Sequence, residues 1–341
     1  MIPGRHAAAF RPPSGLANRH VQTLLPRLLP GPSLSLSREE LPLPDGDVVE
    51  LAWVEPAPAD PAAPLFVLFH GLEGSVDSPY ARHLLAAARE RGYRALLMHF
   101  RGCGRRPNRR PRAYHSGDTA DAHWLLTRLA RRYPRAPRVA CGVSLGANML
   151  LKLIAEDADD ALSLVGAIAI APPVDLAACA DTLTHGVARL YQRHLLGALK
   201  AKVAPRLAAG ELPLALTPSR LARLSTLRDY DDAVTAPLHG FRDAADYYRR
   251  ASAGPRLAEI TTPTLVLHAD DDPFMPPGLF DDLELGVGIR LETARHGGHV
   301  GFVERRDGRF ASWLARRVAA QLDGWRTTLV PDPRRVSPSG D

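Results

Sequence analysis

Between Leu65 and Ala171 short apolar runs alternate with helix-period stretches, and this rhythm restricts the chain more than anything else in it. The runs Leu65 to Phe69, Ala95 to Met98, Arg138 to Cys141 and Leu162 to Ala171 read as buried strands. Tyr80 to Arg91, Thr119 to Arg132 and Ala147 to Glu156 read as the helices between them. Strand, helix, strand in repetition requires an α/β architecture, a mostly parallel central sheet flanked by helices. The rhythm returns at Pro263 to His268 and Ile289 to Thr293, and an amphipathic helix is expected over Arg309 to Trp325.

Residues from about 175 to 255 are helix-like, with Pro and Gly punctuation and no clear strand. A helical insertion there, over the C-terminal edge of the sheet, would act as a cap. The expected organisation is an N-terminal segment (1–45), a first core half (46–174), the cap (175–255), a second core half (256–326) and a disordered tail (327–341). Val48 to Val54 alternates as an edge strand would, with Asp45-Gly46-Asp47 as a turn before it. Pro331, Pro333, Pro338 and Gly340 mark the tail as aperiodic.

With 45% hydrophobic residues in 341, the chain can bury a large core without covalent staples. Its three cysteines are too few for a disulfide framework or a tetrahedral metal site, which suits a reducing compartment, the cytoplasm by default. No stretch has the form of a signal peptide, and the longest apolar run, Leu162 to Ala171, is about half of a bilayer span. The net charge of +6 comes from 3 Lys and 40 Arg scattered along the chain, a compositional bias towards Arg. The densest run, Arg101 to Arg112, holds six Arg but almost no aromatic side chain that could stack a base. It reads as a solvated loop, with an anionic substrate group or a peripheral membrane contact as the lesser alternatives and no nucleic-acid role. Gly102-Cys103-Gly104 has Pro107 where a dinucleotide fingerprint needs its third glycine, so no cofactor is expected.

Gly142-Val143-Ser144-Leu145-Gly146 lies between an apolar run and a helical stretch. Chance produces such a pentapeptide in roughly one chain in ten of this composition, but strand, sharp turn and helix together describe a nucleophile elbow. A serine hydroxyl needs a histidine to take its proton and a carboxylate to orient that histidine, arriving in the order Ser, acid, His. After the run Thr264 to His268 stands Asp270-Asp271-Asp272-Pro273; Asp272 is the preferred acid, with Asp270 and Asp271 behind it. After Ile289 to Thr293 stands His296-Gly297-Gly298-His299, and His299, just before the next helical segment, is the preferred base. No Glu or Cys nearby completes a metal set with the two histidines, so no metal is assigned. Two backbone N–H groups should meet a developing oxyanion: that of Leu145, after the nucleophile, and that of Leu72 in His70-Gly71-Leu72-Glu73-Gly74-Ser75. Glu73 and Ser75 read as loop-shaping, Cys141 as core, and His99 and His115 as structural more readily than pocket-lining.

With these residues in place the chain resembles the α/β-hydrolase superfamily and, within it, the YheT-like hydrolases, serine esterases related to the abhydrolase-domain lipases. The likeness runs through Gly15 to Thr23, His70 to Ser75, His99 to Cys103, Tyr114 to Gly117, Gly142 to Asn148, Thr235 to Phe241, Asp271 to Phe274 and His296 to His299. Ala147 stands where many members have glycine. The resemblance implies the α/β-hydrolase fold with a helical cap, a Ser144, Asp272, His299 triad and hydrolysis of carboxylic esters. Short- to medium-chain acyl esters, acylglycerols and other lipids are the expected substrates. An acyltransferase or thioesterase using the same residues, or a non-catalytic lipid-binding protein, is the alternative reading, and the oligomeric state is open.

Overall fold

The computed structural model describes residues 1–29 and 31–329. The chain begins with β1 (Gly4–Ala7) and a short helix α1 (Arg19–Leu24), continued by a 3-10 turn (Leu25–Leu28). Then come the hairpin β2 (Ser35–Pro42) and β3 (Val48–Glu55), β4 (Leu65–Phe69), α2 (Pro79–Glu90), β5 (Arg94–Met98), α3 (Ala120–Arg132), β6 (Arg138–Val143), α4 (Leu145–Glu156) and β7 (Leu164–Ile170). Between β7 and β8 (Thr264–Ala269) the chain makes only helices: α5 (Leu176–Thr182), α6 (Ala188–Ala208), α7 (Pro218–Arg223), α8 (Leu227–Tyr230), α9 (Ala236–His239), α10 (Ala244–Ala251), a π-turn and a 3-10 turn. It closes with β9 (Ile289–Ala294), a small hairpin of β10 (Val303–Arg306) and β11 (Arg309–Ser312), and α11 (Trp313–Leu329).

Nine strands form one sheet in the order β1-β9-β8-β7-β6-β4-β5-β3-β2. The pairs from β1 across to β5 are parallel, and β3 alone runs against the rest. The alternation of a strand between two faces explains the layers. Leu65, Val67 and Phe69 of β4 enter one apolar cluster with Leu125 and Leu129 of α3 and Leu150 and Leu153 of α4. Phe66 and Leu68 point the other way, against Leu84 and Leu85 of α2 and Trp313 and Leu322 of α11. Each such side chain fully withdrawn from water contributes roughly 1.5–3 kcal/mol, which is why the central strands are apolar on both faces.

Four expectations need correction. The strand at 48–54 is not an edge, because β2 pairs with it along its whole length. Ser35, Arg38, Glu39 and Glu40 gave β2 the polar look of a loop, and a charged, exposed strand is how a sheet commonly ends. The N-terminal segment also contributes the opposite edge, β1, four residues too short to show a period. The closing helix starts at Trp313, since Arg309–Ser312 turn back as β11, and it runs to Leu329, into the stretch read as a disordered tail. Residues 330–341 of that tail lie outside the described residues. Finally, the Arg-rich loop is not wholly solvated: Arg101 is buried and paired with Asp45, Asp47 and Asp121. Burial pushes the Asp47 carboxyl up, but the N–H groups of Arg109, Val48 and Arg110 and the Asn108 amide donate to it and hold it below its ordinary value. Arg105, Arg106, Arg109 and Arg110 stay exposed.

Candidate active site

β6 ends at Val143 and α4 begins at Leu145, so Ser144 alone makes the turn, with φ 53° and ψ −119°. A side-chain-bearing residue held in that region costs of order 1–3 kcal/mol and persists only where packing dictates it. The packing is visible at the two flanking glycines. A Cβ on Gly142 would stand 2.3 Å from the Gly146 carbonyl oxygen, and one on Gly146 would stand 2.5 Å from that of His70. Strand, helix and the neighbouring β4 loop therefore close on each other only because both positions lack side chains.

The structure brings the three predicted side chains together. His299 Nε2 is 3.0 Å from Ser144 Oγ, and His299 Nδ1 is 2.8 Å from Asp272 Oδ2. Asp272 is 2% exposed, and its other oxygen accepts the Phe274 N–H at 2.8 Å. With a carboxylate on Nδ1, the imidazole carries its proton there and turns an acceptor nitrogen to the serine hydroxyl. Asp271 instead accepts the Gly298 N–H at 2.9 Å and faces His296, so it shapes the histidine loop, while Asp270 is exposed. Phe274 lies flat on the His299 ring, centroids 4.0 Å apart and planes 8° apart, and its indifferent place in the sequence gave no hint of this.

The N-terminal segment holds His299 in place. Thr23 Oγ1 accepts the His299 N–H at 3.0 Å, and Gly298, at φ 57°, leaves only 2.4 Å between a would-be Cβ and the Arg19 carbonyl. Buried Gln22 donates to the Leu16 and Val303 carbonyls and accepts the Val303 N–H. The segment Gly15 to Thr23 thus packs as a clamp on the loop that carries His299.

On the other side of Ser144, the loop after β4 bends over the elbow. The Gly71 N–H already donates to Tyr80 Oη at 2.8 Å and the Glu73 N–H to Tyr114 Oη at 2.8 Å. Among the described residues the N–H groups of Leu72 and Leu145 have no protein acceptor. His70 anchors the loop. Its Nε2 accepts the Phe100 N–H at 3.0 Å, so Nδ1 bears the proton and donates to the Gly71 carbonyl at 2.7 Å; burial holds its pKa down to about 3 and the ring neutral. Lys202 of α6 reaches down to Glu73 at 2.8 Å, and Tyr114 donates to the same carboxylate at 2.7 Å.

These groups border a cavity of about 1120 Å³, whose walls include Leu72, Leu183, Leu195, Leu199, Val234 and Met275 as well as Ser144 and His299. His115 lines it, whereas His99 is buried behind the loop after β4, accepting the Val76 N–H. Among the described residues His115, Asp118 and His239 come nearest to a metal-ligand set, their donor atoms within 4.8 Å of one another. However, His115 Nδ1 accepts the Gly117 N–H and Asp118 is paired with Arg112, so two of the three already serve protein partners. Cys103, Cys141 and Cys179 are all free thiols, and Cys141 is buried in β6.

Residues 64–305 match the family profile of the alpha/beta hydrolase fold. An Escherichia coli K12 protein named as an esterase, YheT, is 44% identical over 95% of this chain and 94% of its own length. A Saccharomyces cerevisiae monoacylglycerol lipase is 30% identical over 77% of this chain and 60% of its own, and the human phospholipase ABHD3 is 26% identical over 83% and 71%. Among solved structures, an esterase from Pyrococcus furiosus superposes with a TM-score of 0.54 over 95% of this chain and 99% of its own, at 15% identity, a likeness of fold.

Proposed function

The chain belongs to the α/β-hydrolase family and, within it, to the YheT-like esterases, and from that premise we propose that it is a serine hydrolase cleaving carboxylic esters through an acyl-enzyme. The observation that carries the reading is the unbroken line Asp272, His299, Ser144, ending opposite two unclaimed N–H groups. Ser144 Oγ attacks the acyl carbonyl as its proton passes to His299 Nε2. The imidazolium that forms is stabilised by Asp272, which stays ionised. The carbonyl oxygen, now an oxyanion, accepts from Leu72 and Leu145; one such donor supplies roughly 10²–10³ in rate. Collapse expels the alcohol, which takes the proton from His299, and water then repeats the sequence on the acyl-serine to release the acid.

The substrate class follows from the wall. Aliphatic side chains on α5, α6 and the loop after β4 suit an acyl chain, and the names borne by relatives, esterase, monoacylglycerol lipase and phospholipase, point the same way. We place the enzyme on esters of apolar acids, acylglycerols among them, and in a reducing compartment, since all three thiols are free. A fluorophosphonate probe should label Ser144, and Ser144→Ala should abolish both labelling and p-nitrophenyl ester turnover, a fall of at least about 10⁴-fold. Undiminished turnover in that variant would sink the assignment.

A further inference from the structure

The cavity opens beside α1 and the start of α6, and this rim differs from the rest of the surface. Nine large apolar side chains are exposed among the described residues, and five of them are here: Val21, Leu24 and Leu28 on one side, Val187 and Leu190 on the other. Leu24, Val187 and Leu190 also line the cavity, so exposed rim and buried wall are continuous. The two sides touch, with His20 Nδ1 3.1 Å from Tyr191 Oη. From Tyr191 the contact passes inward to Phe274, ring centroids 5.0 Å apart, and from Phe274 to His299.

The two segments that form this rim carry charge of one sign. Arg19, Arg27, Arg189 and Arg193 are exposed and make no side-chain hydrogen bond or ion pair among the described residues. Residues 1–38 contain no Asp or Glu, and neither do residues 182–210. Half of the other described arginines are spent on carboxylates, Arg101, Arg256 and Arg317 among them.

Resting on the hydrolase reading above, we propose that this rim docks on an anionic phospholipid surface, so that an acyl ester passes from the bilayer into the cavity without crossing water. Val21, Leu24, Leu28, Val187 and Leu190 enter the boundary between headgroups and acyl chains while the four arginines meet lipid phosphates. No helix among the described residues is long and apolar enough to cross a membrane, so the contact is a reversible one at the surface. A second copy of the chain fits the same face poorly, because a two-fold contact would set arginine against arginine.

Sedimentation of the full chain with phosphatidylcholine vesicles, with and without phosphatidylglycerol, tests this. Binding should require phosphatidylglycerol and weaken as salt rises. The pair Arg189→Glu/Arg193→Glu should weaken it at least about 25-fold, from roughly fivefold for each arginine near an anionic surface. Leu28→Asp should weaken it at least about tenfold. None of those three positions lines the cavity or belongs to the Gly15 to Thr23 clamp, so both variants should hydrolyse soluble p-nitrophenyl acetate as the parent does. Ser144→Ala should bind vesicles like the parent, so a failure of the serine chemistry and a failure of docking give different results. Absence of vesicle binding in an enzyme active on soluble ester would overturn the proposal, as would equal binding by the charge-reversed pair or a dimer that Leu28→Asp dissociates.

Discussion

The turn at Ser144 and the helical insertion border one cavity, yet they are built by opposite rules. At the elbow, backbones approach so closely that Gly142 and Gly146 admit no Cβ, and Ser144 is forced to φ 53°. Opposite, α6 contains both Pro205 and Gly197, and a Cβ added at Gly197 would meet nothing within 4 Å. Its apolar residues are divided: Val203 and Leu199 belong to a small cluster within the insertion and at the same time line the cavity. Steric crowding leaves Ser144 one arrangement, whereas α6 around the exposed Gly197 is under no such constraint.

The sharpest way to break this contrast is at its rigid side. Asp272→Asn keeps the shape of the side chain but offers His299 Nδ1 a donor as readily as an acceptor, so kcat should fall by about 10⁴ with the fold intact by circular dichroism. A loss of less than tenfold would show that the 2.8 Å contact does not govern the tautomer. Next in size is a matched pair of glycine substitutions. Gly146→Ala must displace the β4 loop and should cost at least about 3 kcal/mol, seen as a lower Tm and lost activity, while Gly197→Ala in α6 should raise stability by about 0.5–1 kcal/mol. Equal effects at both sites would erase the distinction. The smallest effect is expected where the two regions meet. Lys202→Met removes the cation from Glu73, next to the Leu72 donor, and should lower kcat about fivefold with KM unchanged, with Lys202→Arg recovering most of it. A change in KM alone would make Lys202 a substrate contact.

Legibility in the sequence followed the same division. The strands of the central sheet could be read because burial on both faces makes them uninterrupted apolar runs, and Ser144, Asp272 and His299 could be read because each follows such a run. Thr23, Gln22, Phe274 and Lys202 could not. Each acts on a residue far away in the chain, Thr23 on His299 and Lys202 on Glu73, and no local period marks them. The N-terminal segment is the clearest instance. As sequence, Gly15 to Thr23 was a motif without a mechanism, and in the fold it clamps the histidine loop and carries half of the cavity rim.

By itself, then, the sequence determined the α/β architecture, the insertion after β7 and the identity of the three residues that meet at the elbow. These depend on periodicity, on glycines that sterics demand and on order along the chain, all of which are local or one-dimensional. Only the tertiary structure decided that Thr23 and Phe274 pack on His299, which N–H groups remain unclaimed and which unpaired arginines stand beside the cavity. Those outcomes turn on distance and burial between segments remote in sequence, quantities that exist only once the sheet has closed and the helices have packed on it.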